Sequence, residues 1–307
     1  MLKEITIQLT DRCNLSCPYC FAPKNFRKDL SKNNLDQFTS FCLKDLPECI
    51  HITGGEPSLH DNFVDILALL SEIAPLVVYS NLVKKDTFFS AEKLHGKDIF
   101  FLVNLNERNF YSNLEWNNLE SNIKKALELN LKIAIGHTFY KSNIKEEFEE
   151  TLKFIEKYKI SHFRISQALQ CVNSEHGLSK DNIQLLYQFV ANNIENWKHN
   201  GIKAYFDCPV PFCYITDEIV SRLIAYGAIA KHCNPKAFVQ SDLFVTHCYS
   251  TMQNSYKKKI NEFQSIKEIR EFTSAVIKNI VNRDDIKCKS CVHFVEGKIC
   301  GCPYYSI

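Results

Sequence analysis

The feature that most constrains the fold is an alternation of short apolar runs with segments of helical period. Six runs rich in Ile, Val and Phe are typical of strands: 4–9, 49–53, 75–80, 98–105, 132–139 and 162–166. Amphipathic segments of helical spacing lie between them, among them 63–73, 119–129 and 145–158. Strands that alternate with helices predict a parallel sheet with helical crossovers, buried on both faces. The expected fold class is therefore α/β.

The number of repeats predicts the architecture. Six strand–helix repeats are fewer than the eight of a closed barrel, so we expect a partial (β/α)6 TIM-like barrel. A further strand-like run, 202–207, follows a helix predicted over 181–198. Beyond it cysteines become frequent, and another helix is expected over 264–281. We therefore predict a core domain over 1–200 and a small cysteine-rich α+β domain that binds metal over 201–307.

Charge and cysteine content narrow the range of possible functions and partners. The 307 residues carry a formal net charge of +2, which provides no basic field for nucleic acid or an anionic membrane. No apolar run approaches the length of about 18 residues that a membrane span needs. The first residues alternate as a strand does and do not form a secretion signal, so a cytoplasmic location is expected. In that reducing compartment, 14 cysteines indicate metal binding or catalysis rather than disulfides.

Three cysteines stand close together directly after the first predicted strand. Cys13, Cys17 and Cys20 form a C-x3-C-x2-C loop at the carboxyl end of that strand, where barrel folds build their active sites. Four thiolates would complete a tetrahedral zinc site, whereas three suit an iron–sulfur cluster with one iron left open. A zinc loop that borrows a distant fourth ligand is the alternative.

A second motif follows the second predicted strand. Gly54, Gly55, Glu56 and Pro57 lie in the run HITGGEPSLH. The two glycines let the backbone approach a ligand closely, and the Glu56 carboxylate can pair with an ammonium group. Alone this run would also suit an ordinary turn, but it lies one strand–helix unit after the cysteine loop.

Together the two motifs resemble those of the radical SAM superfamily. The resemblance implies that Cys13, Cys17 and Cys20 hold a [4Fe–4S] cluster whose open iron chelates the amino and carboxylate groups of S-adenosylmethionine (SAM). It implies reductive cleavage of SAM to a 5′-deoxyadenosyl radical that abstracts hydrogen from a substrate, with a flavodoxin- or ferredoxin-type electron donor. Tyr19 would lie by the adenine, and the run 54–57 would bind the SAM amino group.

Polar residues at later strand ends extend this resemblance. Ser80 ends the third predicted strand, Asn104 and Asn106 end the fourth, and Arg164 lies on the sixth. By the resemblance, Ser80 would lie near the ribose or carboxylate of SAM, Asn104 would also contact SAM, and Arg164 would pair with the carboxylate. A polar strand end without a ligand is the alternative at each position.

A second group of cysteines lies near the carboxyl end of the chain. Cys233 and Cys248 flank the run AFVQSDLFVTH, which predicts a β-hairpin with its turn near 241–242, so the two thiols can meet. Cys288 and Cys291 form a C-x2-C knuckle. These four thiolates would complete one site, either for an iron–sulfur cluster or for zinc.

This second group resembles the auxiliary-cluster domains, called SPASM and twitch, that accompany some radical SAM cores. The resemblance implies one auxiliary [4Fe–4S] cluster on the four thiolates. Four further cysteines would suit a second auxiliary cluster, although their spacing departs from the usual SPASM form: Cys208, Cys213, Cys300 and Cys302. Asp207, beside the first of them, is either an acid–base group near the substrate or a charged strand end.

The resemblance also implies a substrate class. Radical SAM enzymes with such auxiliary domains act mostly on peptides, as maturases of ribosomally made natural products that crosslink or oxidise side chains. A peptide substrate is the leading expectation, although nothing before the strand at residue 4 resembles the peptide-binding domain of many maturases. Oxidation of a small-molecule intermediate is the alternative. The rival of another class is a non-catalytic zinc protein that binds a partner.

Overall fold

The computed structural model describes residues 3–20, 22, 28–88, 91–168, 176–230, 237–246, 248 and 258–281, with the backbone alone for 277–281. Within these ranges the strands are β1 (Glu4–Gln8), β2 (Cys49–Thr53), β3 (Leu76–Ser80), β4 (Ile99–Asn104), β5 (Lys132–Phe139), β6 (His162–Gln167), β7 (Lys203–Phe206), β8 (Ala237–Val239), β9 (Phe244–Thr246) and β10 (Lys258–Lys259). The helices are α1 (Lys32–Lys44), α2 (Phe63–Leu70), α3 (Asn113–Glu128), α4 (Ile144–Lys157), α5 (Lys180–His199), α6 (Asp217–Ala225) and α7 (Ile266–Val281).

The described strands form one sheet in the order β10-β9-β8-β1-β2-β3-β4-β5-β6-β7. Every neighbouring pair from β1 to β7 is parallel. From β1 to β7 an α-helix crosses between successive strands except between β3 and β4, where the described connection contains a short 3-10 turn, Ala91–Leu94. Since β7 and β10 are the edges, the sheet is open. The predicted α/β class and its partial barrel are confirmed.

The bounds predicted for the first seven strands are close to those observed. β2 and β5 begin and end at the predicted residues, and each other strand differs by one residue at one or both ends. Helix α3 begins six residues before its predicted start, at Asn113. Its N-cap Ser112 and Glu115 form a reciprocal capping box, with Glu115 N donating to Ser112 Oγ at 3.2 Å. This cap starts the helix in a polar stretch where apolar spacing gives no signal.

The two faces of the sheet differ in character. On one face, residues such as Ile5, Ile50 and Phe101 are fully buried in a core that the helices cover. The other face carries polar and charged side chains, and a row of paired residues across β4, β5 and β6 places Asn104, Gly136 and Arg164 side by side. Strands of a filled barrel are apolar on both faces, so this polar inner face indicates a place for a ligand.

Elements after residue 200 extend the core sheet on both sides. β7 pairs with β6, and β8 pairs in parallel with β1. The β8–β9 hairpin is confirmed, because Gln240 N donates to Phe244 O at 2.9 Å and Leu243 N to Gln240 O at 2.8 Å. The predicted domain division at 200 falls between α5 and β7 and stays a prediction. No helix in the described ranges is long and apolar enough to cross a lipid bilayer.

Candidate active site

The cysteine loop leaves β1 and is fixed at its base. Thr10 and Asp29 form an antiparallel bridge, and Thr10 Oγ1 donates to the Asp29 carboxylate at 2.5 Å. Arg12 donates to the same carboxylate from Nε at 3.1 Å and from Nη2 at 2.7 Å. The Nη2 group also donates to the Leu59 carbonyl at 2.7 Å, which ties the base of the loop to the turn after β2.

The glycine run packs directly on this loop. Gly55 N donates to Thr10 O at 2.8 Å, and Glu56 N donates to Arg12 O at 2.7 Å. A Cβ atom at Gly54 would lie 2.7 Å from Thr10 O, and one at Gly55 would lie 2.5 Å from Arg12 O. Only glycine therefore fits at either position. From the sequence we expected the backbone of these glycines to approach a ligand closely. In the structure it packs closely on the cysteine loop.

The three thiols of the loop line one cavity of about 630 Å³ at the carboxyl ends of the parallel strands: Cys13, Cys17 and Cys20. Cys20 N donates to the Cys17 carbonyl at 3.1 Å. Burial raises the pKa of the Cys17 thiol. Within the described ranges, no three His, Cys, Asp or Glu side chains gather as ligands of a single metal ion. Each thiolate of a four-iron cluster binds a different iron, so such convergence is not required.

Glu56 lies buried at one end of the cavity and is 1% exposed. Its Oε1 accepts hydrogen bonds from Ser58 N at 3.0 Å and Ser80 Oγ at 2.7 Å, and its Oε2 accepts from Asn81 N at 2.7 Å. Burial raises the pKa of this carboxyl, although these donors oppose the shift. Ser80 and Asn81 thus fix the carboxylate to the end of β3.

Arg164, on β6, reaches the cavity from three strands beyond β3. Its guanidinium forms an ion pair with Asp207, directly after β7, and lies over the ring of Tyr79 at 5.4 Å from the centroid. Its Nε is buried and has no hydrogen-bond partner among the described residues. Arginine presents five donors in a planar fork, so this side chain can donate to a further anionic group.

Tyr19 lines the cavity beside the end of β4. Its hydroxyl accepts a hydrogen bond from Asn104 Nδ2 at 3.0 Å and donates to Asn106 Oδ1. Asn106 Nδ2 in turn lies 3.6 Å from Cys17 Sγ. The sequence predicted that Asn104 contacts SAM and that Tyr19 lies by the adenine. In the structure Asn104 binds the Tyr19 hydroxyl.

The cavity brings together most residues that the sequence predicted for SAM: Tyr19, Gly54, Gly55, Glu56, Ser80, Asn104 and Arg164. Pro57 does not line it and instead begins a 3-10 turn, Pro57–Leu59, in which Pro57 and Ser58 are buried. Sequence reasoning missed Leu102, which also lines the cavity. The signal was available, because Leu102 precedes Asn104 by two positions on one strand and so shares its face.

The cysteines predicted for auxiliary clusters are only partly described. Cys208 follows β7, and its carbonyl accepts a hydrogen bond from Gln167 Nε2 at 3.0 Å. Cys213 lies exposed in a 3-10 turn, and Cys248 is partly buried after β9. The others lie outside the described residues: Cys233, Cys288, Cys291, Cys300 and Cys302.

Known proteins match this chain over part of its sequence. GTP 3′,8-cyclase of Aquifex aeolicus is 35% identical over 78 residues, which are 24% of this chain and 24% of that protein. PqqA peptide cyclase of Rhodopseudomonas palustris is 28% identical over 94 residues, which are 29% of this chain and 24% of that protein. These two matches each span about a quarter of the length of the relative.

Structural comparison and a family profile cover much more of the chain. SuiB of Streptococcus suis, in a crystal structure bound to precursor peptide SuiA, has a TM-score of 0.72 over 95% of this chain and 70% of that chain. At 17% identity this likeness concerns the fold alone. The profile of the Radical SAM superfamily matches residues 7–226, more than half of the chain, including the cysteine loop and the glycine run. The protein therefore belongs to the radical SAM superfamily and is a radical SAM enzyme.

Proposed function

We propose that Cys13, Cys17 and Cys20 hold the [4Fe–4S] cluster of this enzyme and that the cavity beside them binds SAM. The observation that carries this proposal is the common lining of one cavity by the three thiols, the glycine run and Arg164. The cavity volume of about 630 Å³ lies within the range of about 300–1,000 Å³ that small-molecule sites have. Its donor set fits the cofactor, since thiolates are the usual ligands of such clusters.

The residues around the cavity would bind and orient SAM at several points. A cluster held by Cys13, Cys17 and Cys20 would supply the electron for reductive cleavage of SAM to a 5′-deoxyadenosyl radical. Glu56, anchored to β3, offers a carboxylate for the SAM ammonium, and Arg164 offers donors for the SAM carboxylate. Tyr19, Tyr79 and Leu102 offer aromatic and apolar surface for the adenine and ribose.

We further propose that the substrate is a peptide, which the enzyme crosslinks or oxidises. Two relations support this: the fold resembles that of SuiB bound to a precursor peptide, and the chain shares a partial match with PqqA peptide cyclase. Asp207 lies directly after β7 and forms an ion pair with Arg164, which lines the cavity proposed for SAM. The Asp207 carboxylate is therefore our candidate acid–base group.

A small-molecule substrate is the second candidate. The stretch of 78 residues at 35% identity belongs to a GTP 3′,8-cyclase, whose name specifies a nucleotide substrate. That match favours a small molecule about as directly as the PqqA peptide cyclase match favours a peptide. The two candidates differ in what must stimulate SAM cleavage.

We also propose that the region 201–307 binds one auxiliary [4Fe–4S] cluster through Cys233, Cys248, Cys288 and Cys291. The hairpin supports the pairing of Cys233 with Cys248. Phe238 pairs with Thr246, so the start of β8 and the end of β9 lie side by side. A second cluster would use the four remaining candidates: Cys208, Cys213, Cys300 and Cys302.

The first test is the metal content of protein reconstituted without oxygen, together with release of 5′-deoxyadenosine from SAM and dithionite. With four irons in each cluster, about eight irons would support one auxiliary cluster and about twelve would support two. Cys288→Ala should remove about four irons and spare SAM cleavage in the absence of substrate. Zinc without release of 5′-deoxyadenosine would contradict the proposal.

The second test separates the two substrate classes. Short peptides encoded beside the gene, and GTP as the nucleotide probe, are each added to the reconstituted enzyme with SAM and reduced flavodoxin. A peptide substrate predicts faster 5′-deoxyadenosine release and a peptide mass lower by two hydrogens. Stimulation by GTP alone would favour the small-molecule candidate. Activity with dithionite but with neither reduced flavodoxin nor reduced ferredoxin would contradict the expected electron donor.

A further inference from the structure

Asn106 links β4 to the cysteine loop through a contact with a thiol. Its Nδ2 lies 3.6 Å from Cys17 Sγ, within hydrogen-bond range for a sulfur acceptor. Asn106 is 6% exposed and Cys17 is half-buried at the cavity wall, so the donor side of this contact is shielded from water. A hydrogen bond in such a shielded place is electrostatically stronger than one in water.

The neighbouring hydroxyl groups fix the orientation of the Asn106 amide. Asn104 Nδ2 donates to the Tyr19 hydroxyl at 3.0 Å, so that hydroxyl directs its own proton to Asn106 Oδ1. Because the amide oxygen is engaged there, the amide nitrogen faces the sulfur. Asn106 N donates to the Tyr111 hydroxyl at 2.8 Å, which holds the main chain in place.

We infer that Asn106 raises the reduction potential of the cluster by donating a hydrogen bond to the Cys17 thiolate. This inference rests on the proposed role of Cys17 as a cluster ligand. The step that it affects is the transfer of one electron from an external low-potential donor, which takes the cluster from the 2+ to the 1+ state. No proton moves and no covalent bond breaks.

The physical reason is the extra negative charge that the cluster and its thiolates share after reduction. An N–H donor at a thiolate sulfur stabilises this charge more in the reduced state than in the oxidised state. Hydrogen bonds to cluster sulfurs are among the factors that set such potentials. Asn106 is not among the residues that line the cavity and acts through its contact with Cys17, so it is a positioning residue.

The test is a redox titration of the reconstituted full chain, followed by electron paramagnetic resonance in the absence of SAM and substrate. The relevant signal is the one missing from a Cys13→Ala, Cys17→Ala, Cys20→Ala triple variant. Asn106→Leu removes the donor, and Asn106→Asp keeps the shape but replaces the donor by an acceptor. In both we expect reduction to become about tenfold less favourable, a fall of about 59 mV for a one-electron couple.

Two further variants separate this effect from a general disturbance. Asn106→Gln retains an amide donor and should recover part of the shift. Tyr111→Phe removes a hydroxyl that accepts a hydrogen bond from Asn106 N and also interacts with the Asn106 side chain and with Cys17, but it leaves the amide donor in place, so its potential should fall by less than that of Asn106→Leu.

The inference is overturned if Asn106→Leu and Asn106→Asp keep the wild-type potential with full iron content. Loss of iron from both variants also overturns it, because Asn106 would then be needed for cluster assembly. The inference is also overturned if Tyr111→Phe lowers the reduction potential as much as Asn106→Leu does. Failure of the proposed cluster site is distinct, since the wild type would then lack any signal that the triple variant loses.

Discussion

The two ends of the cavity hold their charged groups in different ways. Glu56 is 1% exposed and accepts three hydrogen bonds from neutral donors in its own turn and at the end of β3. Arg164 has a side chain that is 19% exposed, and its charged partner is Asp207. The carboxylate is thus part of the internal hydrogen bonding of the protein, whereas the guanidinium retains donors that a ligand can use.

This difference predicts where substitutions act. Removal of a buried acceptor leaves its donors unpaired, which costs stability. The Glu56 end also contains the glycine run that packs on the cysteine loop, so damage there should reach the cluster. A change at the Arg164 end should alter affinity for SAM or substrate and leave the cluster loop intact.

The largest effect should follow from replacing Cys13, Cys17 and Cys20 by alanine. Without the thiolates no cluster can bind in the loop, so 5′-deoxyadenosine release should be abolished. The fold should persist, because the base of the loop is held by Thr10 and Asp29 rather than by the thiols. Product analysis and circular dichroism measure the two outcomes. Turnover that continues in the triple variant would disprove the assignment.

Gly55→Ala should cost the most stability among single changes at the Glu56 end. Its Cβ would lie 2.5 Å from Arg12 O, and a backbone atom cannot move aside as a side chain can. We expect a loss of about 2–3 kcal/mol in the free energy of unfolding, measured with urea, and a fall in iron content.

Gly136→Ala is the matched control for Gly55→Ala. There the new Cβ would meet Leu102 Cδ2 at 3.2 Å, which is the end of a flexible side chain. The loss should stay below about 1 kcal/mol. Equal losses in the two variants would mean that the glycine run does not depend on its contact with the cysteine loop.

Local patterns predicted the strands, the cysteine loop and the glycine run, because each depends on residues close together in sequence. Pairings between distant residues could not be predicted. The partner of Arg164 lies 43 positions away, and that of Glu56 on β3 lies about 25 positions away. Such contacts depend on which strands are neighbours and on their register. The hydrogen bond from Asn106 to Cys17 crosses 89 positions and has no signal in the sequence.

Glu56→Gln should have the next effect. The substitution replaces one carboxylate oxygen by an amide NH2 group, which is a donor. This group would face another donor, either Asn81 N or the pair formed by Ser58 N and Ser80 Oγ. We expect a loss of about 2 kcal/mol in unfolding free energy, accompanied by lower iron content. Ser80→Ala, which removes one donor of the three, should cost about 1 kcal/mol. If stability and iron are unchanged while SAM binds more weakly, Glu56 acts mainly as a ligand.

The smallest effects are expected at the Arg164 end of the cavity, where the measured quantity is the affinity for SAM. The two variants there should change this affinity in different directions. Arg164→Lys loses the planar fork and should weaken SAM binding about fivefold, or by about 1 kcal/mol, with little change in unfolding temperature. Asp207→Asn frees the guanidinium from its charged partner, so SAM should bind equally well or more tightly. A double-mutant cycle on the SAM dissociation constant, measured by calorimetry, gives the coupling between the two residues. If Asp207→Asn instead weakens binding as much as Arg164→Lys, the ion pair orients the arginine. The guanidinium would then depend on its contacts within the protein as much as the Glu56 carboxylate does.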